Sequence, residues 1–384
     1  MAALKHREFR PFGMSAAIHR LVFPLIAVFV GLTASFILLE VVFRLLPTSD
    51  SLKTQAVDES RPYLHFQPNR ELTLSRGKFF EIVSRKRSNN AGFLSDLDYV
   101  SDGKSKFIVI GDSFVEAVQV SNRESIHGRL NSLSPDKPVY GIGASGSALS
   151  QYLAYARYAM NEFSPSGLCF VIIGNDFDES LLEYKDAPGF HYFRQREDTF
   201  DTVRVDYAPS PGKELLKLSA LVRYLYLNVQ LENVRLPGLA RRELPGGTYF
   251  VGNVAKNVDS ARIEKSKRAI GYFLSETEKV AKGIPVVFVL DAPRPNLYSA
   301  AGLLEAQGSY FAIMRSYFKE KAESYKFEVI DMEPVFTEHF RKNGQKFEYE
   351  IDAHWNELGH SLAADSVSRS QAFHKFRASQ PGFR

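Results

Sequence analysis

The chain is 384 residues long, 45% hydrophobic and 24% charged, which excludes a disordered chain and leaves room for one large domain with appendages. Its formal charge of +4 sits at the ends: Lys5, Arg7, Arg10 and Arg20 oppose Glu8 in the first 20 residues, and Arg369, Lys375, Arg377 and Arg384 face no acid after position 365. The middle is therefore mildly acidic, which argues against a basic nucleic-acid groove.

Leu21 to Leu39 is a run of nineteen residues without a charge. At about 1.5 Å per helical residue it nearly spans a bilayer core of roughly 30 Å, and extension through Leu46 gives ample length. Residues 21–46 are therefore expected to form a transmembrane anchor preceded by a 1–20 flank. The run exceeds the usual apolar core of a signal peptide, and no clean Ala-x-Ala site follows it. The basic flank predicts a cytoplasmic N-terminus, so the rest of a bacterial chain would face the periplasm from a single-pass position in the inner membrane. Glu40 and Arg44 are spaced to pair on one helix face.

Residues 47–106 read as a tether and a β-rich lead-in, with strand-like runs at 71–74 and 79–83 and turn chemistry at Asn89-Asn90-Ala91-Gly92-Phe93. From 107 onward apolar strands alternate with amphipathic helices, the pattern of a parallel sheet covered on both faces. Strands are expected at 107–110, 138–142, 168–173, 285–290 and 327–331. A Ser121-x-x-Glu124 capping box should open the helix carrying Ile126 and Leu130, and a final helix should begin near Glu357. Ser260 to Ala281 reads as the crossover helix that parallel topology requires. The insertion at about 177–260, with its dense leucines and tyrosines between 215 and 229, reads as a helical subdomain or lid. The expected fold is thus α/β, a three-layer α/β/α domain over 107–384 with a mostly parallel, flavodoxin-like five-stranded sheet. Cys169, the sole cysteine, lies inside an apolar strand and reads as packing.

Four polar clusters follow these strands. Gly111-Asp112-Ser113-Phe114 follows the first, Gly143-Ala144-Ser145-Gly146 the second, Gly174-Asn175-Asp176 the third, and Asp352-Ala353-His354-Trp355 comes after the fifth. Function in an open parallel sheet sits at the carboxyl ends of its strands, so this layout brings four distant segments to one rim. In their order the clusters resemble the four blocks of the SGNH or GDSL-type serine hydrolases over roughly 107–365, excluding the insertion. The chain departs from the usual pattern in having Phe114 for leucine, Gly141 where asparagine is common, and one residue rather than two between Asp352 and His354. The Asp-x-His-Trp form resembles a membrane-associated subset that includes enzymes acetylating exported polysaccharides.

The chemistry assigns roles independently. Ser113 Oγ needs His354 to take its proton, and Asp352 would hold the imidazole tautomer. The backbone N–H groups of Ser113 and Gly146 with the Asn175 amide could meet the oxyanion, glycine at 146 permitting close approach. Simpler readings stand beside these: Ser113 as a helix N-cap, Asp112 bonding turn amides, Asn175 and Asp176 as turn residues, His360 as a packed histidine, Trp355 packing under the loop or stacking on a sugar. Asp352, His354 and His360 lack further ligands for a metal site, and no cofactor is expected. The expected activity is that of a membrane-anchored serine esterase or acyltransferase acting on acyl esters, O-acetyl groups of an envelope or exported glycan above all. A transferase would need a polytopic membrane partner as acyl donor. The alternative is a non-catalytic envelope assembly or scaffold protein on the same fold.

Overall fold

A computed structural model describes residues 15–230 and 258–379. In chain order the N-terminal part comprises α1 (Ser15–Leu45), the strands β1 (Arg70–Arg76), β2 (Ile82–Ser88) and β3 (Phe107–Gly111), the helices α2 (Ser113–Glu116) and α3 (Ile126–Ser132), β4 (Val139–Gly143), α4 (Leu149–Phe163) and β5 (Gly167–Ile172). A hairpin of β6 (His191–Arg196) and β7 (Thr199–Arg204) is followed by α5 (Pro211–Leu216), α6 (Ala220–Arg223) and a π-helical turn (Tyr224–Asn228). Then come α7 (Ser260–Ala281), β8 (Val286–Leu290), α8 (Arg294–Leu297), α9 (Ala300–Ala306), α10 (Tyr310–Ser324), β9 (Glu328–Asp331), α11 (Met332–Asn343), α12 (Glu357–Ser368) and α13 (Gln371–Ala378).

The central sheet has the order β4-β3-β5-β8-β9, and every neighbouring pair is parallel. This is the flavodoxin-like arrangement, whose switch point lies between β3 and β5. Alternation along each strand sorts the core into two layers. Ile108, Ile110, Leu168, Phe170, Ile172, Phe288 and Leu290 pack on one face against α4, α7 and α10. Phe107, Val109, Cys169, Val171, Val287 and Val289 pack on the other against α3, α11, α12 and α13. Because both faces are covered, the strands read as continuous apolar runs. Cys169 is fully buried, and burial pushes its thiol pKa up, so it is packing rather than a nucleophile.

The expected strands differ from the observed ones by a residue or so at their ends, and α7 has the expected bounds. Four expectations are corrected. Phe79 and Phe80 do not open a strand: they sit in the turn between β1 and β2, where Phe80 has φ +59° and Phe79 N–H donates to Glu81 Oε2 at 2.9 Å. The Ser121/Glu124 box forms, with Ser121 N–H and Oγ both on Glu124 Oε2, but it closes a turn ahead of the helix. Ser125 is the true N-cap of α3, accepting from Gly128 N–H. The described part of the insertion contains the antiparallel β6–β7 hairpin as well as short helices, while 231–257 lie outside the described residues. Finally, the helix at Glu357 is not the last, since α13 follows it.

Within α1, Val22–Leu45 is a 24-residue stretch of mean hydropathy 2.5 with none of its most apolar window buried. By length and composition it could cross a bilayer. Glu40 and Arg44 do pair, at 2.7 Å.

Candidate active site

Ser113 is the first residue of α2, immediately beyond the carboxyl end of β3. Asp112 is the N-cap of that short helix and accepts from Phe114 N–H at 2.9 Å, the structural role expected of it. Burial pushes the Asp112 carboxyl up to about 6, against the Phe114 hydrogen bond and the nearby His354 charge. Ser113 Oγ donates to Asp112 Oδ2 at 3.3 Å.

Asp352 and His354 lie in the loop between α11 and α12. The single residue between them is accommodated by a turn in which Asp352 Oδ1 accepts both the His354 backbone N–H at 2.9 Å and His354 Nδ1–H at 2.5 Å. Gln119 Nε2 donates to the other carboxylate oxygen at 3.0 Å. Burial alone would raise the Asp352 pKa, but the bonds and charge from His354, with Gln119, outweigh it and hold it at about 2. A neutral imidazole that donates Nδ1–H to Asp352 has Nε2 left as the acceptor, which is the tautomer a general base needs. The imidazole lies 5.0 Å, centroid to centroid, from the ring of Phe114, the residue next to Ser113.

Trp355 is fully buried, which removes sugar stacking as a role. Its ring meets Phe114 edge-on at 5.1 Å, and its Nε1–H donates to Asp291 at 2.9 Å. Asp291 also holds Arg294, both buried, and Arg294 Nη1 donates to the carbonyl of Ala353. The end of β8 therefore fixes the loop on both sides of His354. His360 is buried and packs edge-on against Trp355 at 5.5 Å, the packed role anticipated for it.

On the other side of Ser113, Gly146 has φ +87°, a backbone state glycine adopts without penalty. Asn175 follows β5 and donates through Nδ2 to Glu179 Oε2 at 3.1 Å. Lys185 Nζ bridges Glu179 Oε2 at 2.6 Å and the Gly146 carbonyl at 2.9 Å, tying the glycine and asparagine loops together. Asp176 is a buried turn residue: it accepts from Ile173 N–H at 2.7 Å and from Tyr152 Oη at 3.0 Å. Ser113, Gly146, Asn175 and His354 are each partly accessible, whereas Asp112, Phe114, Asp176 and Trp355 beside them are buried.

Gln119, Glu179, Lys185, Glu116 and Lys86 were not anticipated. Only Glu179 had a sequence signal, its i+4 spacing from Asn175. Glu116, the last residue of the serine helix, is buried and accepts from the backbone N–H and hydroxyl of Ser145, joining the first two loops. Lys86 of β2 reaches under it and donates to the Glu116 carbonyl at 3.0 Å. Burial pulls the Lys86 pKa down to about 7 although Glu116, Asp96 and Glu124 pull it the other way. An unfolded lysine titrates near ~10.4, so between about pH 7 and ~10.4 the unfolded chain binds more protons and Lys86 makes stability rise with pH. The stability of wild type relative to Lys86→Met should therefore increase from pH 7 to pH 10 in paired urea titrations; a constant difference would refute the depressed pKa.

Gly141, in the strand position where asparagine is common, is backed by His127. A Cβ built at 141 would lie 2.5 Å from the imidazole, so the buried ring occupies the space a side chain would need.

A flavodoxin-like sheet with a serine, a glycine and an asparagine at consecutive strand ends, faced by an Asp-His pair, has the layout of an SGNH/GDSL-type hydrolase. No protein-family model matches the chain, and neither does any curated protein. Among solved structures it is similar to a member of the lipolytic G-D-S-L family from Veillonella parvula, at 9% identity and TM-score 0.36 over 70% of this chain and 98% of that one. It is similar also to the psychrotrophic esterase EstA from Pseudoalteromonas sp., at 8% identity and TM-score 0.36 over 72% and 100%. A lipase/acylhydrolase from Enterococcus faecalis is 10% identical, with TM-score 0.37 over 73% and 100%. These likenesses are too slight to bring the chemistry of those proteins to this chain.

Proposed function

We propose that the chain is a membrane-anchored serine esterase or acyltransferase that acts on O-acyl esters, chiefly O-acetyl groups of an envelope or exported glycan. The observation that carries the catalytic reading is the Asp352–His354 hydrogen bond of 2.5 Å, with the imidazole packed on the residue beside Ser113.

In this reading Ser113 Oγ attacks the ester carbonyl as His354 Nε2 takes its proton. The carbonyl oxygen becomes an oxyanion facing the N–H groups of Ser113 and Gly146 and the Asn175 amide. Collapse expels the alcohol, which takes the proton from His354, and leaves an acyl-Ser113 ester. Water or a sugar hydroxyl, deprotonated by the same imidazole, then attacks that ester and frees Ser113. Asp352 remains ionised throughout and stabilises the imidazolium.

The acetyl and glycan part rests on the Asp-x-His-Trp resemblance and on the apolar helix, which would hold the domain at a membrane. Its test is incubation of the detergent-solubilised full chain with an acetylated glycan, with and without a deacetylated acceptor. Acetate release unaffected by the acceptor marks an esterase, and acetyl transfer to the acceptor marks a transferase. Neither, from folded protein that cleaves simple acetyl esters, overturns the glycan assignment.

A further inference from the structure

The segment from α5 through the π-helical turn has no place in the catalytic reading, yet it is bonded closely to the end of α1. Glu40 accepts from Ser219 Oγ at 2.7 Å and from the backbone N–H groups of Ala220 and Leu221 at 2.9 and 3.1 Å. Arg44 Nη2 donates to the Leu218 carbonyl at 3.2 Å, and Tyr224 stacks on Phe43 with centroids 4.0 Å apart. Tyr224 Oη in turn donates to the Lys78 carbonyl at 2.9 Å, which brings the β1–β2 turn alongside.

These contacts set a depth. Glu40 is the first charge after the nineteen-residue apolar run, whose helical length of roughly 28 Å matches the hydrocarbon core. Residues 218–221 therefore lie level with the point where α1 leaves the core. At that level the chain presents large exposed apolar side chains: Phe79 is 86% exposed and Leu215 68%, with Leu216 and Leu218 also exposed. Exposed Lys78 and Lys213 flank them. Exposed leucines and an exposed phenylalanine with lysines beside them in the chain, joined to a membrane helix, have the composition of an interfacial element.

We infer that the face formed by Phe79, Leu215, Leu216 and Leu218 is seated in the headgroup layer of the bilayer that α1 crosses, with Lys78 and Lys213 toward lipid phosphates. The inference rests on α1 spanning the membrane. A protein partner on this face would have to share the level of the headgroups, whereas lipid is already there by continuity with α1. The patch then acts as a second foothold, so that the catalytic domain cannot swing freely about the tether.

The test uses the full chain in phosphatidylcholine/phosphatidylglycerol nanodiscs. Cys169 is buried, so a thiol-reactive environment-sensitive fluorophore can be directed to single new cysteines. Leu216→Cys reads the patch, Val28→Cys reads α1, and Leu304→Cys reads an exposed leucine on α9, which packs on α8. The expected result is a blue-shifted label at 216 that is quenched more by lipids with a nitroxide near the headgroup than by those with one at the chain end. The label at 28 should show the reverse preference, and that at 304 neither shift nor quenching. Quenching at 28 with a water-like label at 216 overturns the inference while leaving the anchor intact. A label at 216 that is shielded from water but not quenched by either lipid marks a protein partner and overturns it too. Loss of quenching at 28 removes the membrane-spanning reading, and the inference with it.

Discussion

Ser113→Ala should lower turnover of a simple acetyl ester by at least about 10³-fold while leaving the protein folded. The side chain removed is small, partly accessible and bonded only weakly to Asp112, so little stability is at stake. A fluorophosphonate probe reports the same point without a choice of substrate. It should label the wild-type chain at Ser113 and fail on the variant, because the phosphonyl group mimics the tetrahedral carbon and needs an activated hydroxyl. Equal labelling of both proteins, or none of a folded wild type, would discard the nucleophile. Asn175→Ala should fall short of this loss, at about 10²- to 10³-fold in kcat, since one oxyanion donor goes while two backbone donors stay.

The largest effect on stability is expected at Asp291, which contacts no substrate in the proposed reaction. Its carboxylate is fully buried and accepts from Arg294 Nε at about 3 Å and from Trp355 Nε1 at 2.9 Å. Asp291→Ala leaves the guanidinium without its partner in the interior and frees the indole N–H. Removing one member of a buried ion pair costs about 3 to 5 kcal/mol, and the unmet indole donor adds to the loss. Asp291→Asn keeps an acceptor for the indole and should cost less. Trp355 is the only tryptophan, so its fluorescence in a urea titration reports the loop that carries His354 directly. An Asp291→Ala midpoint equal to that of wild type would show that Arg294 finds other partners, such as the Glu348 carboxylate 3.6 Å away.

The sheet was legible because its strands are buried on both faces and so stand out as unbroken runs such as Phe107-Ile108-Val109-Ile110. The candidate site was legible for a related reason: each polar cluster interrupts the chain where such a run ends. What escaped was decided by direction rather than composition. Lys86 sits among Arg85 and Arg87 in a stretch that reads as solvated, and only the pleat of β2, paired with β1, turns it inward. Phe79 and Phe80 looked like strand residues because aromatic residues favour strands, but Gly77 at φ +87° and Phe80 at φ +59° turn the chain there. The β6–β7 hairpin was hidden by a half-exposed pattern with arginines on its outer face, where Arg194 and Arg196 both pair with Asp201. Lys185 and Gln119 were invisible as site residues because each acts on a group brought close only by folding, the Gly146 carbonyl and the Asp352 carboxylate, whereas Glu179 had its i+4 spacing from Asn175.

The contact between Gly141 and His127 bears on how this chain should be compared with others. One position supplies the void and the other fills it, so neither is free to vary alone: asparagine at 141 would drive its Cβ into the imidazole, and a small residue at 127 beside glycine would leave a cavity. The two substitutions are coupled by sharing one volume, and their costs will not add.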